Sequence, residues 1–334
     1  MGIKGLSETF KYNRVVKLKD LANKTVAIDA MTEIYSASLG TKSISTLTDK
    51  HGNNTNYINV LLYTIINFHK ANIKQIWIFD NNKTGHNPEK LEEQRKRSEK
   101  RQAAKAKLDN FDKLKELFSD DDNDNNDNVN DKTAIKASLE KQTFHLTDEI
   151  LSNVLFMLNS FNISYLFAPE GFEAEQIASY LSATDQVDGV YSRDVDPIVF
   201  GAKILWRKES RIKKGNKEKR ILEYTQESIF KQIGTKTPFK DLRKICVILG
   251  GDYAKKTKGI GPKTVLKKYK EIALTKEQKQ AIIAYKKTPQ EDMETYNFDK
   301  IAFNNCNYDG IKHWLIHEKS FNMERIDKLF NKSL

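Results

Sequence analysis

Five short apolar runs punctuate the chain, and four of them end in, or are closely followed by, an acidic residue. The runs are TVAIDA (25–30), IKQIWIFD (73–80), ISYLFAP (163–169), GVYSRD (189–194) and KILWR (203–207). Short apolar runs of this kind predict buried strands. Between the first three lie longer stretches with apolar residues at helical spacing, NYINVLLYTIINFHKAN (56–72) and LTDEILSNVLFMLNSF (146–161). In the second, Thr147 or Asp148 stands where an N-cap is needed. Strands alternating with helices predict an α/β fold, a mainly parallel central sheet flanked by helices.

The acids then acquire a place. Asp29 follows TVAI, Asp80 follows IWIF, Glu173 and Glu175 come just after YLFAP, and Asp194 and Asp196 close GVYSRDVD. In an open α/β sheet, ligands bind beyond the carboxyl ends of the strands. If the strands are parallel neighbours, six carboxylates meet at one rim, and Asp252 in LGGDY, after KICVIL, is a seventh candidate. Taken singly, each is well explained as a cap or turn residue; the pair at 173 and 175 suits the positive end of a helix dipole. Six at strand ends in one chain are not explained as unrelated caps. Like charges in contact disfavour joint ionisation, and a hard divalent cation such as Mg²⁺, which prefers carboxylate and water oxygens, removes the conflict. Two such ions about 4 Å apart suit the attacking and leaving oxygens of a phosphate diester.

Charge points to the same kind of partner. Lys and Arg number 56 against 45 Asp and Glu, a net charge of +11, which suggests a polyanion, nucleic acid before an anionic membrane. No apolar run approaches the roughly 18 residues of a membrane span, and the N-terminus carries no secretion-signal pattern. Cys246 and Cys306 cannot build a disulfide framework, and Cys246 lies in the apolar run ICVILG. A reducing, intracellular setting follows as the expectation, the nucleus or a cytoplasmic replication compartment.

The basic residues are grouped. GGDYAKKTKGIGPKTVLKKYK (250–270) carries seven Lys between 253 and 270 and no acid there. Its Gly259-Ile-Gly261-Pro-Lys263 core lacks the third Gly of a dinucleotide fingerprint. It predicts a helical hairpin whose turn offers backbone N–H groups to a phosphate without reading sequence. EKLEEQRKRSEKRQAAKAK (89–107) favours helix and places Lys90 and Arg97 on one face; by spacing alone a solvated charged helix explains it. RKESRIKKGNKEKR (207–220) is expected to be a basic hairpin or loop.

Other features are weaker. SDDDNDNNDNVND (119–131) holds six Asp and almost nothing apolar, so a mobile insertion is expected. Counted from Asp120 as an EF-hand, it has Asn125 and Asp131 where Gly and Glu are required. His313 and His317 in HWLIH have a spacing that can bind zinc, but no third ligand is near in sequence, and a surface pair explains them better. Residues 310–334 suggest two short helices.

The series MGIKGL, VAIDAMTEIY, IWIFD, KRSEKR, APEGFEAE, VYSRDVDPIVFG, LGGDY…GIGPKTV and HEKSFNMERI covers nearly the whole chain. In this order it resembles the flap endonuclease branch of the XPG-like structure-specific 5′ nucleases. The resemblance implies a PIN-like nuclease core with a helical arch and a helix-two-turn-helix module. It implies one nuclease domain over 1–334: an N-terminal region 1–108, an arch with the acidic insertion 109–145, and an internal region 146–334 with the helix-two-turn-helix near 245–270. It implies that Asp29, Asp80, Glu173 and Glu175 hold one Mg²⁺ or Mn²⁺ and that Asp194, Asp196 and Asp252 help hold a second. Gly2 would lie near the metals after Met removal, Tyr35 would stack on a base beside the scissile phosphate, and Lys90 and Arg97 would steer that phosphate. Gly259, Gly261, Lys263, Lys267 and Lys268 would grip duplex backbone, where the family often holds K⁺.

Three departures from the family pattern stand out. The turn before Glu173 is two residues longer, Arg193 replaces an acid before Asp194, and the acidic insertion falls in the arch. The chain ends about where the family's sliding-clamp-binding tail begins. MERIDKLF has Met where that motif has Gln, so clamp binding through this tail is not expected. The expected activity is metal-dependent hydrolysis of branched or flapped double-stranded DNA at single/double-strand junctions. A 5′→3′ exonuclease activity, a role in replication and repair, and a monomeric state are also expected. The rivals are a sibling enzyme acting on nicked or four-way junctions, a related RNA-directed nuclease, and a non-catalytic junction binder.

Overall fold

The computed structural model describes residues 2–39, 47–81, 88–117, 135, 138–139, 142–209, 220–289 and 306–331. Seven strands form one sheet: β1 (Arg14–Val16), β2 (Thr25–Asp29), β3 (Lys74–Phe79), β4 (Ser164–Phe167), β5 (Gly189–Ser192), β6 (Ile204–Lys208) and β7 (Ile221–Thr225). Their spatial order is β1-β7-β6-β5-β2-β3-β4. The five strands from β6 to β4 run parallel; β7 lies antiparallel between β6 and β1.

The five apolar runs are these parallel strands, because a strand covered on both faces must be apolar at nearly every position. Val26, Ile28, Trp77, Phe79, Tyr191 and Trp206 face one core. Ala27, Ile76, Ile78, Val190 and Leu205 face the other. Sequence reasoning missed β1 and β7, which pair antiparallel and are partly polar. Glu223 interrupts the apolar pattern of β7, and its carboxylate accepts from Arg14 Nε at 2.7 Å and Trp206 Nε1 at 3.0 Å.

Helices cover both faces. The short α1 (Leu6–Thr9) leads into β1, and α2 (Ala30–Leu39) starts directly at the end of β2. Helix α3 (Asn56–Lys70) precedes β3, and the charged α4 (Pro88–Leu117) follows it. Helix α5 (Asp148–Ser160) is capped as the sequence suggests: Thr147 Oγ1 accepts the Ile150 N–H at 3.2 Å. Then come α6 (Ala174–Ala183), α7 (Pro197–Phe200), α8 (Gln226–Ile233), α9 (Pro238–Leu249), α10 (Pro262–Lys268) and α11 (Lys276–Lys286). At the C-terminal side, α12 (Tyr308–His313) continues into a π-helical turn (Trp314–Glu318), followed by α13 (Met323–Asn331). His313 and His317 are exposed there with ring centroids 4.5 Å apart, a surface pair.

Helix α4 runs unbroken across positions 108 and 109, where the resemblance puts the start of the arch. The acidic insertion 119–131 lies outside the described residues. Of the basic stretch 207–220, the two limbs are antiparallel, with Lys208 opposite Ile221; 210–219 lie outside the described residues. Among the described residues no helix is long and apolar enough to cross a membrane.

Candidate active site

In-register pairing sets Asp29 beside Ile78 and Phe79 beside Phe167, so β2, β3 and β4 end at one rim. Beyond that rim lies a cleft of about 1030 Å³. Its lining includes Gly2, Asp29, Asp80, Glu173, Glu175, Asp194 and Asp252, with Arg95, Arg97 and Arg101 from α4, and Tyr35, Phe144 and His145. Six of the seven acids predicted from sequence therefore share one cavity.

Each acid is held by the start of a helix or a turn. Asp29 ends β2, is buried, and accepts the Thr32 N–H at 3.1 Å, which caps α2. Burial, then the charge of Asp80, pushes its carboxyl up to about 7. Asp80 Oδ1 accepts the Ala174 N–H at 2.7 Å, tying the exit of β3 to the first residue of α6. Glu173 is the N-cap residue of α6; its N–H donates to Gln176 Oε1 at 2.9 Å and its carboxylate accepts the Tyr253 hydroxyl. Glu175 follows in the first turn. The carboxylates at the mouth of α6 are thus both helix-terminal and cleft-lining, so capping and site roles coincide. Asp194, just past β5, is raised by burial.

Asp196 behaves differently. It is buried outside the cleft lining, and both carboxylate oxygens accept the Ile3 N–H, at 3.0 and 3.1 Å. Burial, then the charge of Asp194, pushes it up to about 8. Asp196 therefore anchors the N-terminal segment beside the site. Two positions in that segment have no room for a side chain. Gly2 has φ +88°, and a Cβ on it would lie 3.1 Å from Asp196 Oδ1 and 3.2 Å from Asp194 Cγ. Gly5 has φ +73°, and a Cβ there would fall 2.2 Å from Pro262 Cγ, at the start of α10.

Asp252, in the loop after α9, accepts from Arg97 at 3.0 Å. This pair joins α4 to the glycine-rich loop across the cleft. Arg95 is pinned by Glu92 and Glu99 on its own helix. Tyr35 meets Phe144 edge to face at a centroid distance of 5.4 Å. Lys90 lies in the first turn of α4, on the stretch that leads to the cleft-facing residues.

The all-oxygen donor set fits a hard divalent cation. Burial supplies the electrostatic reason for one, since Asp29 and Asp194 are both disfavoured as anions. Among the described residues, no three acidic, His or Cys side chains already close on a single point. The acids line a cleft and do not form a closed shell.

In the glycine-rich loop, Gly259 has φ +75° and open space around it, as a left-handed turn residue should. The Gly261 N–H is engaged by Thr264 Oγ1 at 3.1 Å, so the turn exposes less backbone donor than its sequence suggests. Lys263, Lys267 and Lys268 are exposed on α10. Behind the loop, the buried Gln278 donates to Val247 O, Lys255 O and Thr257 Oγ1, fixing its path between α9 and α10.

Comparison with known proteins agrees with this geometry. The XPG N-terminal domain matches residues 1–104 and the XPG I-region matches residues 162–252. Flap endonuclease 1 of Entamoeba histolytica is 29% identical over 350 residues, spanning 98% of this chain and 86% of the relative. The chain belongs to the flap endonuclease branch of the XPG-like nucleases. The fold is that of flap endonuclease-1 from Methanococcus jannaschii, with TM-score 0.67 at 21% identity over 99% of this chain and 98% of that one. The catalytic core of Rad2 in complex with DNA substrate shares the fold at TM-score 0.61 and 18% identity, over 100% of each chain.

Two departures from the family pattern now have a structural setting. The longer turn before Glu173 is clamped from the C-cap of α11: Lys287 Nζ donates to Gly171 O at 2.8 Å and sits 4.3 Å from the centre of the Phe172 ring. Arg193 turns its charge onto Glu33, which is fully buried in α2. Sequence reasoning missed Glu33, Tyr253, Phe144 and Arg101. Tyr253 adjoins Asp252, and Glu33 and Arg101 lie inside the quoted motifs VAIDAMTEIY and KRSEKR; nothing local marks Phe144.

Proposed function

We propose that this chain is a structure-specific 5′ nuclease that hydrolyses DNA phosphodiesters at single/double-strand junctions, with a 5′ single-stranded flap as the preferred substrate. The observation that carries this reading is the meeting of Asp29, Asp80, Glu173, Glu175, Asp194 and Asp252, from five separate chain segments, in one cleft faced by arginines. Two Mg²⁺ or Mn²⁺ ions, when bound, would lower the pKa of the attacking water and neutralise charge on the phosphate.

Asp29, Asp80, Glu173 and Glu175 would hold one ion, and Asp194 with Asp252 would help hold the other. Asp196 serves indirectly, by seating Gly2 and Ile3 against Asp194. Arg97 and Lys90 would bind the scissile phosphate, an electrostatic role realised most fully as charge develops on it. A phosphate arriving there competes with Asp252 for Arg97. Tyr35, backed by Phe144, presents a ring on which the neighbouring base would stack. The exposed Lys263, Lys267 and Lys268, with the Gly259–Gly261 turn, would grip the duplex backbone without reading sequence. A K⁺ ion in that loop, a monomeric state and a replication and repair setting complete the proposal.

The test is cleavage of flap, nicked and four-way DNA, and of a matched RNA flap, in Mg²⁺ with and without EDTA. Cleavage of the DNA flap that EDTA abolishes and that Asp194→Ala removes while binding persists supports the reading. Undiminished cleavage by the variant refutes the catalytic assignment. DNA binding with no cleavage of any substrate by the wild type leaves a junction-binding protein.

A further inference from the structure

The buried side of the site holds a charge cluster that the proposed mechanism does not use. Glu33 of α2 is completely buried, yet it carries a carboxylate. Arg193 Nε donates to its Oε1 at 2.9 Å and Arg193 NH2 to its Oε2 at 3.4 Å. Lys208 Nζ, at the end of β6, lies 3.5 Å from the same Oε2. The side chains of Arg193 and Lys208 are 21% and 13% exposed. Breaking a buried pair of this kind is costly, because the remaining charge has no water to replace its partner.

The main chain of Arg193 is held as well. Its carbonyl accepts Arg207 Nε at 2.7 Å, from the neighbouring strand. Position 193 is therefore fixed twice, through its side chain to α2 and through its carbonyl to β6. The next residue is Asp194. Helix α2 itself begins just after Asp29 and carries Tyr35, so one buried carboxylate joins the elements that bear three proposed site residues.

We propose that Arg193 is a positioning residue for Asp194, with the buried Glu33 as its anchor. This rests on the nuclease reading above. An acid at 193, as the family pattern has, would face Glu33 across the same buried contact. The Arg in this chain and the buried Glu33 are therefore a matched pair that keeps the exit of β5 in place. Lys208 shares Glu33 but touches neither β5 nor Asp194 through this ion pair, which makes it an internal control.

The experiment uses the full chain and measures Mn²⁺ binding by the EPR signal of the free ion, without DNA. It is accompanied by melting temperature and by single-turnover flap cleavage across substrate concentrations. Arg193→Gln should weaken Mn²⁺ binding about tenfold or more, the usual effect of removing a group that orients a metal ligand. It should lower the cleavage rate and leave the half-saturating DNA concentration unchanged. Arg193→Lys keeps the charge and should restore part of both. Lys208→Ala should lower the melting temperature and leave Mn²⁺ affinity as in the wild type. Wild-type Mn²⁺ affinity in Arg193→Gln, or an equal loss of affinity in Lys208→Ala, overturns the proposal and leaves a purely structural ion cluster. Wild-type protein that neither binds Mn²⁺ nor cleaves the flap overturns the nuclease reading, and this proposal with it.

Discussion

Replacing Asp29 by Asn should stabilise the metal-free protein while destroying its activity. The side chain is buried, and its carboxyl is pushed up to about 7 from 3.8, first by burial and then by the charge of Asp80. Between those values the folded protein keeps a proton that the unfolded chain has lost, so stability falls as pH rises through that window. Above about 7 the penalty is fully present. The difference, 7 − 3.8, is about three pKa units, or ~4 kcal/mol at about 1.4 kcal/mol per unit. Asn preserves the oxygen that accepts the Thr32 N–H and removes the charge. Water entry and relaxation around the cleft reduce the benefit, so a gain of about 2 kcal/mol, with ~4 as the ceiling, is expected near pH 8.5 in EDTA. At about pH 5 folded wild-type Asp29 is still protonated while the unfolded chain has mostly lost that proton, so the gain should shrink to roughly a third, 5 − 3.8 against 7 − 3.8 pKa units. Urea denaturation of both proteins at the two pH values, with m-values compared, measures it. Mg²⁺ should stabilise the wild type more than the variant, because a ligand that binds only the folded state adds to its stability. Equal or lower stability of Asp29→Asn near pH 8.5 would refute the reasoning that the cleft holds carboxylates in unfavourable contact.

Other perturbations probe separate parts of the site. Arg97→Ala should cut single-turnover flap cleavage by roughly 10²–10³, the cost of removing one electrostatic partner of the transition state; a drop below about threefold would remove Arg97 from that role. Gly2→Ala must fit a Cβ 3.1–3.2 Å from the carboxylates of Asp196 and Asp194 at φ +88°, so cleavage should fall and stability drop by about 1 kcal/mol or more, read by activity and melting temperature. The double change Lys267→Ala/Lys268→Ala should weaken binding of all DNA sequences alike and reduce the slope of log K against log salt by roughly one for each phosphate no longer neutralised, read by fluorescence anisotropy over a salt series.

Much of the fold was legible because two periodicities were clear. The five doubly covered strands show unbroken apolar runs, and α3 and α5 show helical spacing, so the parallel sheet follows from the order of elements. β1 was hidden because it is a three-residue edge strand with two exposed positions, and β7 because Glu223 breaks its apolar run. The acids were legible because they fall at strand ends, where the chain must turn and cap a helix. Their individual duties were not. Asp29 and Asp196 both accept a backbone N–H, Asp29 from Thr32 and Asp196 from Ile3, yet Asp29 lines the cleft and Asp196 lies outside its lining.

What the sequence determined by itself was the side of the sheet on which the chemistry gathers, since strand direction and strand-end residues are local properties. What only the tertiary structure decided was the pairing of distant charges: Arg97 with Asp252 over the cleft, Arg193 with Glu33 beneath it, Tyr253 with Glu173 at its wall. Those partners lie 155, 160 and 80 residues apart in the chain. At such separations nothing in local spacing favours one partner over another. The choice follows from which helix packs on which strand end, and from the need of each buried charge for a counter-charge within hydrogen-bonding reach.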